Sequence, residues 1–112
     1  LVVVDLARQG GPLLAELVDR CDELLVVTPA TVPGLAAAAR LVADLGRDGR
    51  AGLVLRPGGL GDADAERVTG LPVVAAVADQ RGVAASVDRG LGPLSGRGPL
   101  ARAARDLLAA AA

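Results

Sequence analysis

Charged side chains follow apolar segments at three places in this sequence. Asp5 follows residues 1–4, Arg56 follows residues 53–55, and Asp79 follows residues 72–78. An unpaired charge is costly to bury, so each of these side chains needs water, an opposite charge or a ligand. A carboxylate at the end of a buried strand can hold Mg²⁺ or a metal-bound water, and a guanidinium can contact a base or a phosphate. Asp5 is therefore a candidate metal ligand, and Arg56 and Asp79 are candidate ligand-binding residues.

Each of these residues also has a purely structural interpretation. Asp5 could cap the N–H groups of the following loop, and Arg56 could form a surface ion pair with Asp79 or Asp62. Asp79 could instead cap a helix that begins near Val83. The glycine-rich residues 58–61 contain no Lys and do not have the dinucleotide-binding spacing, so they predict a turn and not a phosphate cradle. The residues alone leave these alternatives open.

Missing residue types limit the chemistry that the chain can perform. Its 112 residues include no His, Lys, Met, Phe, Tyr, Trp, Ile or Asn, and all twelve basic residues are Arg. Without Lys there is no P-loop signature, and without His there is no imidazole general base. The single cysteine, Cys21, cannot form an internal disulfide or a Cys-rich zinc site, and it fits a reducing, cytoplasmic setting. We therefore expect no phosphate-transfer catalysis from this chain alone.

Apolar segments alternate with helical patterns along the chain. Strands are predicted at residues 1–4, 24–27, 53–55 and 72–77, with helices after each of them and a last helix over residues 100–112. This spacing is typical of βαβ units, whose right-handed crossovers produce a parallel sheet with helices on both faces. The sequence predicts one α/β domain over residues 1–112, in three layers. Because the chain begins at Leu1 and has no Met, we expect this domain to be truncated.

The ends of the predicted strands hold the candidate residues. In open parallel sheets, ligands bind beyond the carboxyl ends of the strands. These ends are Asp5, Thr28-Pro29, Arg56-Pro57 and Ala78-Asp79. We therefore expect Asp5, Arg56 and Asp79 to gather along one rim of the sheet.

Charge and hydropathy argue against nucleic-acid and membrane partners. The formal net charge is −1, so the chain has no excess of positive charge with which to bind the phosphates of a nucleic acid. No apolar run approaches the roughly 20 residues that a membrane-spanning helix needs. The predicted last helix has a mostly Ala apolar face, so we expect it to pack against the sheet and not to lie on a membrane surface.

In this order, the segments resemble the C-terminal half of MinD/ParA-type P-loop ATPases, and especially the CpaE/TadZ-like branch, which includes actinobacterial septum-site-determining proteins. Residues 2–6 (VVVDL) look like the family's Walker-B-like strand, and residues 23–29 (ELLVVTP) look like the strand that follows it. Residues 53–56 look like the strand that ends in Asn-Arg, with Leu55 at the Asn position. Residues 71–90 look like the strand, the Pro-x-Asp-type loop and the helix beyond, with Ala78 at the Pro position.

The resemblance implies a cytoplasmic protein that depends on ATP and Mg²⁺, forms a homodimer, and positions cell-division or pilus and secretion machinery. It implies that Asp5 organises Mg²⁺ and that Arg56, Ala78 and Asp79 line the nucleotide base. The family's Walker A loop with its Lys would lie upstream of Leu1, so the nucleotide site would be incomplete here. The strand that carries this loop would lie between the first two predicted strands. We therefore expect exposed apolar strand edges and low stability.

Two other functions are considered. The first is a non-catalytic pseudo-ATPase that keeps the fold and binds protein partners, which the loss of the base-reading Asn at Leu55 favours. The second is part of another α/β enzyme, such as a methyltransferase or dehydrogenase. It ranks last because the second predicted strand ends in Thr28-Pro29, where a ribose-binding acid would be needed.

Overall fold

Three parallel strands and five helices make up the described part of the fold. The computed structural model describes residues 1–8, 10–47, 50–93 and 96–111. The elements are α1 (Pro12–Arg20), β1 (Leu24–Pro29), α2 (Val32–Asp44), β2 (Ala51–Arg56), α3 (Asp62–Thr69), β3 (Val73–Ala76), α4 (Val83–Asp88) and α5 (Pro99–Ala111). The strand order is β1-β2-β3, and both neighbouring pairs are parallel. The predicted α/β class, with a parallel sheet flanked by helices, is confirmed.

The main core lies between the sheet and the helices α2 and α3. Alternate side chains of β2, at Ala51, Leu53 and Leu55, are buried on this face of the sheet. They pack with Leu35, Ala38 and Val42 of α2 and with Ala65 of α3. Leu35 and Leu53 are completely buried, and each contributes about 2 kcal/mol of transfer free energy. The two-residue period of a strand and the i, i+3, i+7 spacing of α2 explain which side chains meet.

Helix α5 covers part of the opposite face of the sheet. Helix α5 contacts β3, and Ala101 of α5 is buried. Leu100 of α5 lines a cavity together with Val54 of β2, which places α5 on the face away from α2. Leu25 and Val27 of β1 remain exposed, Val27 by 63%. These two exposed side chains lie on the face of the sheet that α5 covers only in part.

The predicted first strand is wrong. Residues 1–7 form neither helix nor strand, and Leu1, Val2 and Val3 are each at least 78% exposed. Their β-branched composition favours a strand only where a neighbour supplies backbone partners and a surface to pack on. No strand in the described part of the chain pairs with this segment. Among the described residues the sheet accordingly has three strands where the sequence predicted four, and the other three predicted strands are confirmed.

Helix α1 is attached to the rest of the fold through the carbonyl group of Val18. This carbonyl oxygen accepts two hydrogen bonds, one from the guanidinium of Arg47 and one from Cys21 Sγ at 3.1 Å. Arg47 follows α2 in the chain. The side chain of Val18 is buried. The end of α1 thus packs near the end of α2, and the Cys21 thiol is used in a local contact. Within the described residues, no helix has the length and apolar character needed to cross a bilayer.

Candidate ligand-binding cavity

A cavity of about 580 Å³ lies beyond the carboxyl ends of β2 and β3. Its walls come from the α5-covered face of the sheet, from the loop after β3, and from the two C-terminal helices. Most of the wall is apolar, and the polar side chains are one guanidinium, one carboxylate and one carboxamide. The lining residues are Val27, Val54, Arg56, Val77, Ala78, Asp79, Gln80, Val83, Ala84 and Leu100.

Strand alternation directs Arg56 into this cavity. Val54 and Arg56 are two residues apart on β2, so their side chains lie on the same face of the strand. Leu55, between them, lies on the other face, where it is buried in the core beside α2 and α3. Leu55 therefore does not line the cavity.

The backbone around Arg56 is held by the neighbouring loop. The carbonyl oxygen of Arg56 accepts a hydrogen bond from Ala30 N–H at 2.9 Å, and Leu60 N–H donates to the carbonyl oxygen of Ala30 at 3.0 Å. Gly58 approaches Ala30 so closely that an added Cβ would lie 2.6 Å from the Ala30 carbonyl carbon. The loops after β1 and β2 are thus packed backbone to backbone, and they fix the point from which the Arg56 side chain extends.

The charged groups of the cavity do not neutralise each other. The ion pairs found between described residues are Arg20–Glu16 and Arg67–Asp64, both on helix surfaces. Arg56 pairs with neither Asp62 nor Asp79 within the described part of the chain, so the surface ion pair considered from the sequence is not found. Arg56 and Asp79 are both exposed. A ligand in the cavity can therefore reach a guanidinium donor and a carboxylate acceptor.

The loop after β3 brings Ala78 and Asp79 to the cavity. Val77 N–H donates to the carbonyl oxygen of Leu55 at 2.8 Å and so continues the β2–β3 pairing by one residue. Beyond it the chain leaves the sheet. Helix α4 begins after Gly82, which has a left-handed backbone conformation, and no side chain among the described residues caps this helix. The helix-capping role considered for Asp79 is therefore not found, and its carboxylate remains at the cavity.

Asp5 lies elsewhere. It lines a separate cleft of about 270 Å³ with Leu6, Ala7, Gly10, Gly11, Leu13 and Leu14, and none of these residues lines the larger cavity. The expected gathering of Asp5, Arg56 and Asp79 along one rim is thus found for Arg56 and Asp79 but not for Asp5. Among the residues that the structure describes, no three His, Cys, Asp or Glu side chains are grouped to hold a metal ion. The Mg²⁺ role of Asp5 remains a prediction from the resemblance.

The sequence predicted the polar part of the cavity but not its apolar wall. Val54 could have been predicted from its position two residues before Arg56. Gln80 could have been predicted from its place beside Asp79. Nothing in the order of residues indicates that Val83 or Leu100 lies against these strand ends, because their position depends on how α4 and α5 return to the sheet.

The structure is that of an α/β protein with a mostly apolar cavity at the carboxyl edge of a parallel sheet. Comparison with known proteins gave no match, whether to a family model, to a curated protein or to a solved structure.

Proposed function

We propose that this chain serves in a cytoplasmic, nucleotide-dependent regulator of the MinD/ParA/CpaE class, which positions cell-division or pilus and secretion machinery as a homodimer. The observation that carries the proposal is the convergence of Arg56, Ala78 and Asp79 on one cavity at the carboxyl edge of the sheet. These are the residues that the resemblance assigns to the nucleotide base. They come from the ends of two adjacent parallel strands, which is where nucleotides bind in open α/β sheets.

The cavity is chemically suited to an adenine ring. Val27, Val54 and Leu100 offer apolar surface to a flat aromatic group, and the Arg56 guanidinium can stack on its face. The Asp79 carboxylate can accept a hydrogen bond from the exocyclic amino group of adenine. The base would thus be bound by packing and by one directional hydrogen bond.

These residues offer less to the phosphates than to the base. The chain has no Lys, and a P-loop cannot be formed from its residues. Bound Mg²⁺ would neutralise charge on the phosphates, and Asp5 is the residue that the resemblance assigns to it. Asp5 lines the other cleft, however, so the binding proposed here is that of the base by Arg56 and Asp79.

Saturation-transfer NMR tests this assignment, because it detects weak ligands and reports which ligand protons touch the protein. With ATP, we expect the strongest saturation at adenine H2 and H8. Arg56→Ala should weaken binding roughly fivefold, since a stacked guanidinium contributes about 1 kcal/mol. Arg67→Ala is the matched control: it removes the same charge from an exposed pair on α3, and it should leave binding unchanged.

A second ligand separates base recognition from general binding. Inosine triphosphate lacks the exocyclic amino group, so the wild-type protein should prefer ATP over it, and Asp79→Ala should remove that preference. No saturation of adenine protons, or equal effects of Arg56→Ala and Arg67→Ala, would contradict nucleotide binding in this cavity.

The second candidate is a non-catalytic protein-interaction module. One observation favours it: Leu55, at the position of the family's base-reading Asn, is buried in the core and offers nothing to a ligand. In this case the cavity would not bind ATP, and homodimer formation would be independent of nucleotide. Sedimentation velocity with and without ATP and Mg²⁺ distinguishes the two functions, because a nucleotide switch requires the dimer population to change.

A further inference from the structure

The side chain of Gln80 links the loop after β3 to the last helix through hydrogen bonds. Its Oε1 accepts a hydrogen bond from Leu100 N–H at 3.3 Å, and its Nε2 donates to the carbonyl oxygen of Pro93 at 3.4 Å. Leu100 lies in the first turn of α5, where backbone N–H groups have no partner within the helix. Among the hydrogen bonds between described residues, no other connects α5 to the β3 side of the cavity.

Gly98 provides the space for this contact. A Cβ at Gly98 would overlap Gln80 Oε1 and would lie 2.6 Å from Gln80 Cδ. Gly98, directly before α5, therefore lies close to the carboxamide. Arg102 N–H donates to the carbonyl oxygen of Gly98 at 3.1 Å. A side chain at this position would displace the carboxamide from Leu100.

The contact determines one wall of the cavity. Leu100 lines the cavity, and Ala101, the next residue, is buried where α5 contacts β3. Gln80 follows Asp79 directly in the sequence. The loop after β3 therefore carries both the Asp79 carboxylate and the Gln80 carboxamide that is hydrogen-bonded to α5. Movement of the start of α5 would shift Leu100 relative to Val54 and Val83 and would open the cavity.

We propose that Gln80 is the positioning residue of this cavity: it caps α5 from the loop after β3 and thereby holds Leu100 as the apolar wall against which the ligand packs. The capping contact does not depend on the identity of the ligand. That the ligand is an adenine nucleotide rests on the function proposed above.

Hydrogen–deuterium exchange of the whole chain without ligand tests the capping contact. Gln80→Ala should speed exchange at Leu100 N–H about fivefold, the loss expected for one hydrogen bond. Gln80→Glu should keep the protection, because the carboxylate still accepts from Leu100 and is favoured at a helix N-terminus. Rescue by Glu but not by Ala separates capping from a mere loss of packing.

Gly98→Ala tests the same contact without changing Gln80. It should also speed exchange at Leu100 about fivefold, because the added Cβ displaces the carboxamide. Gly61→Ala is the matched control: Gly61 directly precedes α3, has an ordinary φ of −84°, and no atom lies within 4 Å of an added Cβ. This control should leave α5 unchanged. Wild-type exchange at Leu100 in both Gln80→Ala and Gly98→Ala would overturn the proposal.

Two further measurements, methyl NMR and ATP binding, report how the Gln80 variants change the cavity. The methyl signals of Leu100, Val54 and Val83 should shift in Gln80→Ala, whereas those of Leu35 and Val42, on the other face of the sheet, should not. Unchanged Leu100, Val54 and Val83 signals would overturn the positioning role. ATP binding should weaken in Gln80→Ala and be retained in Gln80→Glu. If the exchange and methyl results are as expected but the wild type does not bind ATP, the nucleotide function fails and the role of Gln80 stands.

Discussion

Arg56 and Asp79 are available to a ligand because neither side chain forms an ion pair within the described part of the chain. The Arg56 backbone is fixed by the hydrogen bond from Ala30 N–H, and its side chain shares a strand face with Val54. A rigid attachment point lowers the entropy that a binding residue loses when it orders around a ligand. The close packing of Gly58 on Ala30 is part of this rigidity.

Gly58→Ala should therefore destabilise the protein by about 1–3 kcal/mol, because a Cβ would strike backbone atoms of Ala30, which cannot rotate away. The free energy of unfolding from urea denaturation measures the effect. Gly61→Ala, which meets no atom within 4 Å, is the control and should lose less. Equal losses in the two variants would show that the contact between Gly58 and Ala30 is not tight in solution.

Helix α2 links the end of β1 to the core. Its first turn is capped by Thr31, whose Oγ1 accepts from Gly34 N–H at 3.2 Å, and Pro33 lies in that turn, where a missing N–H is tolerated. Gly34 allows this turn to contact Pro29, since an added Cβ would lie 2.6 Å from the Pro29 carbonyl oxygen. The cap thus fixes the point after β1 at which α2 begins, and with it the position from which Leu35 packs into the core.

Thr31→Ala should lower the free energy of unfolding by about 1 kcal/mol, because it removes the acceptor for a backbone N–H of the first turn. Thr31→Ser keeps the hydroxyl and should remain close to the wild type. Urea denaturation of both variants makes the comparison. A loss in the Ser variant as large as in the Ala variant would assign the effect to the Thr methyl group and not to capping.

The molecule as a whole leaves apolar surface uncovered. Leu25 and Val27 of β1 and Val74 of β3 are exposed on the face that α5 covers in part, and the apolar residues 1–4 are exposed as well. The radius of gyration is 14.6 Å, compared with about 13 Å expected for a compact domain of this length. Exposed strands with apolar side chains favour association between molecules.

We expect concentration-dependent association of the purified chain, measured by sedimentation velocity. Val27→Thr, which keeps the β-branched shape and adds a hydroxyl to a 63% exposed side chain, should reduce it. Val68→Thr, on the exposed surface of α3, is the control and should not. A monomer at all concentrations that unfolds cooperatively on heating would contradict both this expectation and the low stability predicted from the sequence.

Local patterns of residues were sufficient for most of the elements and for part of the cavity. The apolar runs of β1 and β2 and the 3.6-residue period of α2 depend on short-range order, so the parallel sheet and the location of Arg56 and Asp79 at its carboxyl edge could be predicted. Residues 1–4 have the same strand-like composition as β1, but a strand needs a partner that no local pattern supplies. Long-range packing likewise determined that Leu55 enters the core, that Asp5 lies in another cleft, and that Gln80 and Leu100 complete the cavity. The spacing of apolar residues and the intrinsic preferences of each residue type specify which face of a helix or strand is apolar. Contacts between segments that are distant in sequence specify which other element packs against that face.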